Sequence, residues 1–90
     1  AGFNEDISRW DVSNVTSLLS TFYGATSFNG DLSRWDVSNV TDMSYTFAAT
    51  SFDQQLGGAW ARSTADKYFM FRGSPGSIVG KTNDADGTPE

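Results

Sequence analysis

Two sets of polar residues recur in this chain at a spacing that would set the same chemistry side by side: Arg9, Asp11 and Ser13, then Arg34, Asp36 and Ser38 at 25 positions' distance. A guanidinium, a carboxylate and a hydroxyl on one surface can hold a protein or glycan through charge-assisted hydrogen bonds. The bland alternative is a solvated surface on which arginines offset the repulsion of a stacked Asp11 and Asp36. Asn14 and Asn39 each open the triplet Asn-Val-Thr, which is a glycosylation acceptor in a secreted protein. It is equally a place for an asparagine amide to bond to turn backbone, and recurrence at one place in the repeat favours that structural ladder. Glu5, Asp6 and Asp31 form a further acidic set, and residues 83–87, Asn-Asp-Ala-Asp-Gly, look like half of a calcium loop. A complete loop needs more ligands, including a bidentate acid at its end, so no metal site is expected.

Catalysis has little to work with. The chain has no histidine and no cysteine, which removes the usual general base, the thiolate nucleophile, disulfides and the common zinc sites. Surface aspartates lack the apolar pocket that raises a carboxyl pKa for acid work. No serine sits in a nucleophile setting such as Gly-x-Ser-x-Gly. The reading is that the protein is not an enzyme and carries no cofactor. A net charge of -5, with six scattered basic residues, argues against nucleic acid or an anionic membrane surface as partner. No run is long and apolar enough to span a bilayer, so no membrane insertion is expected.

What must position these residues is an internal repeat. Residues 3–22, FNEDISRWDVSNVTSLLSTF, are nearly copied in residues 28–47, FNGDLSRWDVSNVTDMSYTF. A unit of about 25 residues cannot bury its apolar face alone, so neighbouring units must stack. The expected architecture is a repeat solenoid: a leucine-rich-repeat-like right-handed coil, with one short parallel strand and one short helix or turn per 24–25 residue repeat. About three coils are expected, the last degenerate. Residues 1–75 would form the solenoid, as units 3–27, 28–51 and 52–75, the third a C-terminal cap. Residues 76–90 read as a tail or linker, from the polar, acidic, Gly- and Pro-containing composition beyond Ile78 and Val79.

Within the first unit, Ile7, Trp10, Val12 and Val15 carry the apolar spacing, and alternation of Trp10 and Val12 around Asp11 predicts a short strand. Thr16 would cap a short helix with Leu18, Leu19 and Phe22 on its apolar face, ended by a left-handed Gly24. The second unit repeats this with Leu32, Trp35, Val37, Val40, Met43 and Phe47, and loses one residue in the following turn. In the third, Trp60 and Phe71 keep their places, the strand is weak, and a helix from Ser63 or Thr64 runs through Tyr68, Phe69 and Phe71 to Gly73. Trp10, Val12, Phe22, Trp35, Val37, Phe47, Trp60 and Phe71 should form the stacking core, with Phe28 on Phe52.

The pattern F-N-x-D-[IL]-S-x-W-D-V-S-N-V-T-x-[ML]-x-x-x-F-x-x-A-x-S-F resembles the 25-residue surface-protein repeat of the BspA-like leucine-rich-repeat superfamily, found also in mycoplasma lipoprotein-associated domains. It covers residues 3 to about 56 closely. The run from Trp60 through Met70-Phe71-Arg72-Gly73-Ser74 looks like the closing segment of such arrays. The resemblance implies an extracellular or cell-surface solenoid with roles in adhesion, matrix or partner binding, without enzymatic activity.

The start at Gly2-Phe3 falls mid-array, as though the first coil were cut from, or continued by, a neighbour. The expected role is therefore a structural building block of a head-to-tail filament or adhesive surface array, in which the open first coil stacks on the closing region of the next subunit. The competing role is a monomeric adhesin fragment that binds protein or glycan through Arg9, Asp11, Ser13, Arg34, Asp36 and Ser38.

Overall fold

The first two units each carry two turns made by the same local chemistry. In Asp-x-Ser, the aspartate Oδ1 accepts the serine backbone N–H two residues on: Ser8 donates to Asp6, Ser13 to Asp11, Ser33 to Asp31 and Ser38 to Asp36, all at 2.9–3.1 Å. Around each serine the backbone closes a four-residue turn: Trp10 N–H donates to the Ile7 carbonyl and Val15 N–H to Val12, and Trp35 and Val40 repeat this on Leu32 and Val37. Apolar residues stand at the ends of these turns and polar ones between, so Ile7, Val12, Leu32, Trp35, Val37 and Val40 are buried while the Asp-x-Ser side chains face solvent.

The computed structural model describes residues 5–90. Phe3 and Asn4, at the head of the first unit, lie outside the described residues. The regular elements are few: β1, Gln55–Leu56; α1, Ala59–Arg62; and β2, Ser77–Ile78. β1 and β2 pair in parallel, Gln55 opposite Ser77 and Leu56 opposite Ile78.

The three units are joined chiefly by another ladder, through residues 16–24, 41–49 and 66–73. Parallel bridges connect Ser17 to Asp42 and Asp42 to Asp66. The N–H groups of Leu18, Ser20, Phe22 and Gly24 donate to the carbonyls of Asp42, Ser44, Thr46 and Ala48 at 2.8, 2.9, 3.0 and 3.0 Å. The next peptide groups continue the pattern: Met43, Tyr45, Phe47 and Ala49 donate to Asp66, Tyr68, Met70 and Arg72 at 2.7, 2.9, 2.9 and 2.8 Å. Between them, alternate N–H groups close local turns, as Thr21 on Leu18 and Tyr23 on Ser20 do.

This alternation needs left-handed backbone at equivalent places in every unit. Ser20, Tyr45 and Phe69 have φ of 56°, 59° and 53°, and Gly24, Ala49 and Gly73 have φ of 76°, 56° and 70°. A non-glycine residue there costs about 1–2 kcal/mol. The ladder bonds and adjacent aromatic burial offset that cost.

The core is two columns of phenylalanine beside a tryptophan pair. Phe22, Phe47 and Phe71 stack with centroids 5.6 Å apart at both steps, and Phe28 stacks on Phe52 at 6.1 Å. Trp35 and Trp60 lie 6.4 Å apart. Each indole N–H reaches back 28 residues, Trp35 to the Ile7 carbonyl at 3.0 Å and Trp60 to Leu32 at 2.9 Å. The second column ends at Gly76, where a Cβ would come within 2.6 Å of the Phe52 ring and 2.8 Å of Phe71.

Several placements differ from the sequence reading, each for a local reason. Residues 10–12 form no strand, because Asp-x-Ser turns on either side of Trp10 use the backbone first. Residues 16–22 form no helix, because every second N–H is taken by the adjacent unit; Leu18 and Phe22 point inward but Leu19 is exposed. In the third unit the helical turn is Ala59–Arg62, preceding Ser63, and Tyr68 is exposed rather than an apolar anchor.

Trp10 is the clearest departure from the expected core. It is 60% exposed where Trp35 and Trp60 are 3% and 0%. The carbonyl that its equivalents bond to would belong to a unit before the first. Residues 76–90, read as a tail or linker, are packed on the third unit. Ile78 is fully buried and Gly87 and Pro89 are buried, because the segment lays backbone directly against backbone. A Cβ on Gly87 would lie 2.4 Å from Arg72 N.

Candidate functional site

The expected binding comb is present as surface. Arg9, Asp11, Arg34 and Asp36 are exposed, as is Ser38, and Ser13 is half-buried. The carboxylates are already committed on one side. Ser13 donates to Asp11 Oδ1 through both Oγ (2.6 Å) and backbone N (3.0 Å). These serine hydrogen bonds hold Asp11 and Asp36 below the usual carboxylate range, side-chain bond first, while Asp11 and Asp36 repel one another. Asp6 and Asp31 are lowered the same way, mainly by the backbone N–H of Ser8 and Ser33, and next to them Arg9 and Arg34 add a smaller attraction. The arginines thus offset the first aspartate of each unit more than Asp11 and Asp36.

Asn39 uses its amide across units, Nδ2 donating to the Ser13 carbonyl at 2.7 Å. Thr41 Oγ1 donates to the Thr16 carbonyl at 3.1 Å and Thr46 Oγ1 to Leu18 at 3.0 Å. Asn14, Thr16 and Thr21 are the same residue types one unit earlier. Their equivalent acceptors, like that of Trp10, would lie in a preceding unit. The residues 83–87 make a tight turn, in which Asp84 Oδ1 accepts the N–H groups of Asp86 and Thr88. Among the described residues no group of three or more acidic, histidine or cysteine side chains is placed to hold a metal, and no helix is long and apolar enough to cross a membrane.

The feature that residue types could not reveal is the direction of the peptide groups. In the columns of the inter-unit ladder the carbonyl of each peptide group accepts from the preceding unit and its N–H donates to the following one: Leu18 N–H to Asp42 C=O, then Met43 N–H to Asp66 C=O. Four such columns run through the stack in one sense, and a fifth, Asp66 N–H to the Thr41 carbonyl and Thr41 N–H to the Thr16 carbonyl, runs in the other. The two faces of this ladder are therefore unlike, carbonyl-rich on the first unit and N–H-rich on the third.

The first-unit end presents acceptors. The carbonyls of Ser17, Leu19, Thr21 and Tyr23 are the ladder positions one unit before Asp42, Ser44, Thr46 and Ala48, and no described residue donates to them. Exposed Trp10, Leu19 and Tyr23 belong to the same unit. The third-unit end presents donors, the N–H groups of Lys67, Phe69, Phe71 and Gly73. Two of these are covered by the C-terminal segment: Phe69 N–H donates to Thr88 Oγ1 at 2.9 Å and Phe71 N–H to the Gly87 carbonyl at 3.0 Å. Those of Lys67 and Gly73 have no partner among the described residues.

Beside Lys67 lies an open groove of about 490 Å³, lined in part by Thr64, Lys67, Tyr68, Lys81, Thr88 and Glu90. Lys67 Nζ donates to the carbonyls of Ser63 (2.7 Å) and Ala65 (3.2 Å). Burial, and then the nearby charge of Lys81, lower its pKa.

The geometry is that of a stack of sequence repeats with a carbonyl-rich ladder face on its first unit and an N–H-rich one on its third, the latter covered in part by residues 76–90. The chain belongs to the family described as Mycoplasma protein of unknown function, DUF285, whose model matches residues 1–78. The packed segment 82–90 lies beyond the matched residues. No curated protein matches the chain, and no solved structure matches it.

Proposed function

We propose that this chain is a non-enzymatic, extracellular structural repeat protein, a short solenoid of the BspA-like leucine-rich-repeat kind that serves as a building block of a head-to-tail filament or adhesive surface array. The observation that carries the reading is the ladder face of the first unit, whose carbonyls accept no hydrogen bond from a described residue. It offers four carbonyl acceptors in ladder register and an exposed Trp10 whose counterparts one and two units on are buried. Unpaired ladder edges are the usual template for association. Because this edge is mostly acceptors, the partner that fits it best presents mostly N–H donors, as the third unit does. Such a contact is heterologous, and it builds an open filament where its rotation does not close a ring.

Light scattering and electron microscopy over a concentration series test the reading, with Trp10→Ala alongside. Growth of linear assemblies that Trp10→Ala weakens is expected. A dispersed monomer at the highest concentration overturns it.

A second reading, a binding module acting through Arg9, Asp11, Ser13, Arg34, Asp36 and Ser38, rests on the exposure of both arginines. Charge reversal at Arg9 and Arg34 separates the two. It abolishes binding to the native surface in the second reading and leaves assembly unchanged in the first.

A further inference from the structure

One side of the stack carries a different charge from the rest of the surface. Residues 18–24, 43–49 and 67–73, the facing ladder segments of the three units, hold two charged side chains, Lys67 and Arg72, and none of the chain's 11 aspartates and glutamates. The whole chain has a net charge of -5, so this face is a positive island on an acidic molecule. It is also aromatic. Tyr23 meets Tyr45 with ring centroids 5.9 Å apart, Tyr45 meets Phe69 at 5.1 Å, and Phe69 meets Tyr68 at 6.1 Å. Tyr68 is 65% exposed, and Tyr45, with a unit on each side of it, still shows part of its ring at the surface, as does Phe69. The Arg72 guanidinium lies over the Phe69 ring, 5.3 Å from its centroid. The rings are held there on strained backbone: Tyr45 and Phe69 have φ of 59° and 53°, which large side chains rarely adopt and which clusters at functional sites. Burial returns only part of that strain, because neither ring is fully covered.

We propose that this face binds an acidic polysaccharide, a chain of pyranose rings that bear carboxylates. The electron-rich face of a tyrosine or phenylalanine attracts the polarised C–H bonds of a sugar ring laid on it, and the phenol hydroxyls reach the sugar's own hydroxyls. The spacings of 5.9 and 5.1 Å along Tyr23, Tyr45 and Phe69 match the rise of one pyranose unit in an extended glycan, so successive sugars meet successive rings. Arg72 supplies the charge complement. No carboxylate in the three facing segments competes for it, and its planar fork takes a sugar carboxylate through two parallel hydrogen bonds. Lys67 adds charge without being the anchor, since its ammonium already donates to the Ser63 and Ala65 carbonyls at 2.7 and 3.2 Å. A nucleic acid single strand fits less well, because a phosphate at every base needs a run of cations along the row. The rings are also tilted by 41–47° rather than parallel. The face lies along the side of the ladder, so it goes beyond the head-to-tail reading and does not rest on it.

Calorimetric titration tests the assignment, with a galacturonic acid oligosaccharide as probe and a neutral cellulose oligosaccharide, polyglutamate and a mixed-sequence DNA single strand for comparison. The uronate oligosaccharide should bind about tenfold or more tightly than any of the three, the scale of one charge-assisted pair added to ring stacking. Tyr68→Ala, at the most exposed ring, should weaken it about three- to tenfold. Tyr45→Gly, which suits the left-handed backbone, should weaken it about tenfold, with urea denaturation showing that the units remain folded. Arg72→Ala should remove the preference for uronate over the neutral sugar, and Arg72→Lys should restore only part of it. Charge reversal at Arg9 and Arg34, on the Asp-x-Ser turns, should leave uronate binding unchanged. Absence of uronate binding at millimolar concentration overturns the proposal, as does undiminished binding in folded Tyr68→Ala and Tyr45→Gly. Equal or tighter binding of polyglutamate or DNA overturns it too. Self-association that Tyr68→Ala removes gives the face to a second copy and likewise overturns it. The head-to-tail reading stands or falls separately, on linear assembly and its response to Trp10→Ala.

Discussion

The first and second units are near copies in sequence and differ in what surrounds them. Trp35 is buried with its indole N–H on the Ile7 carbonyl, while Trp10, with the same neighbours in sequence, is largely exposed. Thr46 is fully buried and donates to Leu18, whereas Thr21 is exposed. The difference teaches that burial here belongs to the junction and not to the residue: a unit is completed by the unit before it. The stack therefore has a built-in direction, and its two ends cannot substitute for each other.

The largest effect that would sharpen this comparison comes from the tryptophans. Trp60→Ala should destabilise the chain by about 3–5 kcal/mol, the cost of truncating a large buried aromatic. Trp35→Ala should fall in the same range. Trp10→Ala should change monomer stability by about 0.5 kcal/mol or less, as exposed sites do. Urea denaturation of the dilute proteins measures all three, and an equal loss at Trp10 and Trp35 would break the comparison.

A smaller pair of substitutions makes the same point with a hydroxyl. Thr46→Val keeps the shape but removes the donor to Leu18 and Met43, a loss of about 1 kcal/mol or somewhat more because buried carbonyls lose a partner. Thr21→Val, at the equivalent place in the open unit, should be close to neutral by the same denaturation assay.

Much of the repeat was legible in the sequence, and the parts that were not have physical causes. The 25-residue copying led directly to Phe28 on Phe52 and Trp35 near Trp60, and the glycine ending the first unit's apolar run to left-handed backbone at Gly24, because glycine and aromatic spacing register in residue types. The local elements were misplaced because Asp-x-Ser is a turn former that outweighs the apolar alternation of Trp10 and Val12. Left-handed Tyr45 and Phe69 carry no such signal, since large residues rarely adopt that backbone. The order of residues 76–90 was hidden for another reason. Their packing depends on close backbone approach at Gly76 and Gly87, which hydropathy does not register. The acceptor edge at Ser17, Leu19, Thr21 and Tyr23 consists of main-chain oxygens, so no pattern of side chains could have disclosed it.

Acid should act on the turns, and gently. The folded pKa values of Asp6, Asp11, Asp31 and Asp36 are lowered by serine hydrogen bonds. The folded chain therefore binds fewer protons than the unfolded one through the carboxylate range. The resulting stability is fully present above the unfolded carboxylate values and is lost as pH falls through the lower folded values. All four groups are exposed, so the loss should be shallow. Denaturation midpoints measured from neutral pH downward should decline less steeply in an Asp11→Asn, Asp36→Asn double variant than in the unaltered chain. An identical slope would remove these two turns from the account.

The smallest expected effect isolates the backbone from the side chains. Gly24, Ala49 and Gly73 occupy the same place in successive units, all with positive φ, yet only the second unit carries a side chain there. Ala49 is exposed, so its methyl contributes little packing to offset a left-handed conformation that costs a non-glycine residue about 1 kcal/mol or more. Glycine also widens the unfolded ensemble, which takes back about 0.4–1 kcal/mol. Ala49→Gly should therefore raise stability by a few tenths of a kcal/mol to about 1 kcal/mol in urea denaturation. The second unit, buried on both sides, would then be shown to keep a strained residue that its neighbours avoid. A clear loss of stability would mean that the Ala49 methyl holds the turn to the third unit more tightly than its exposure suggests.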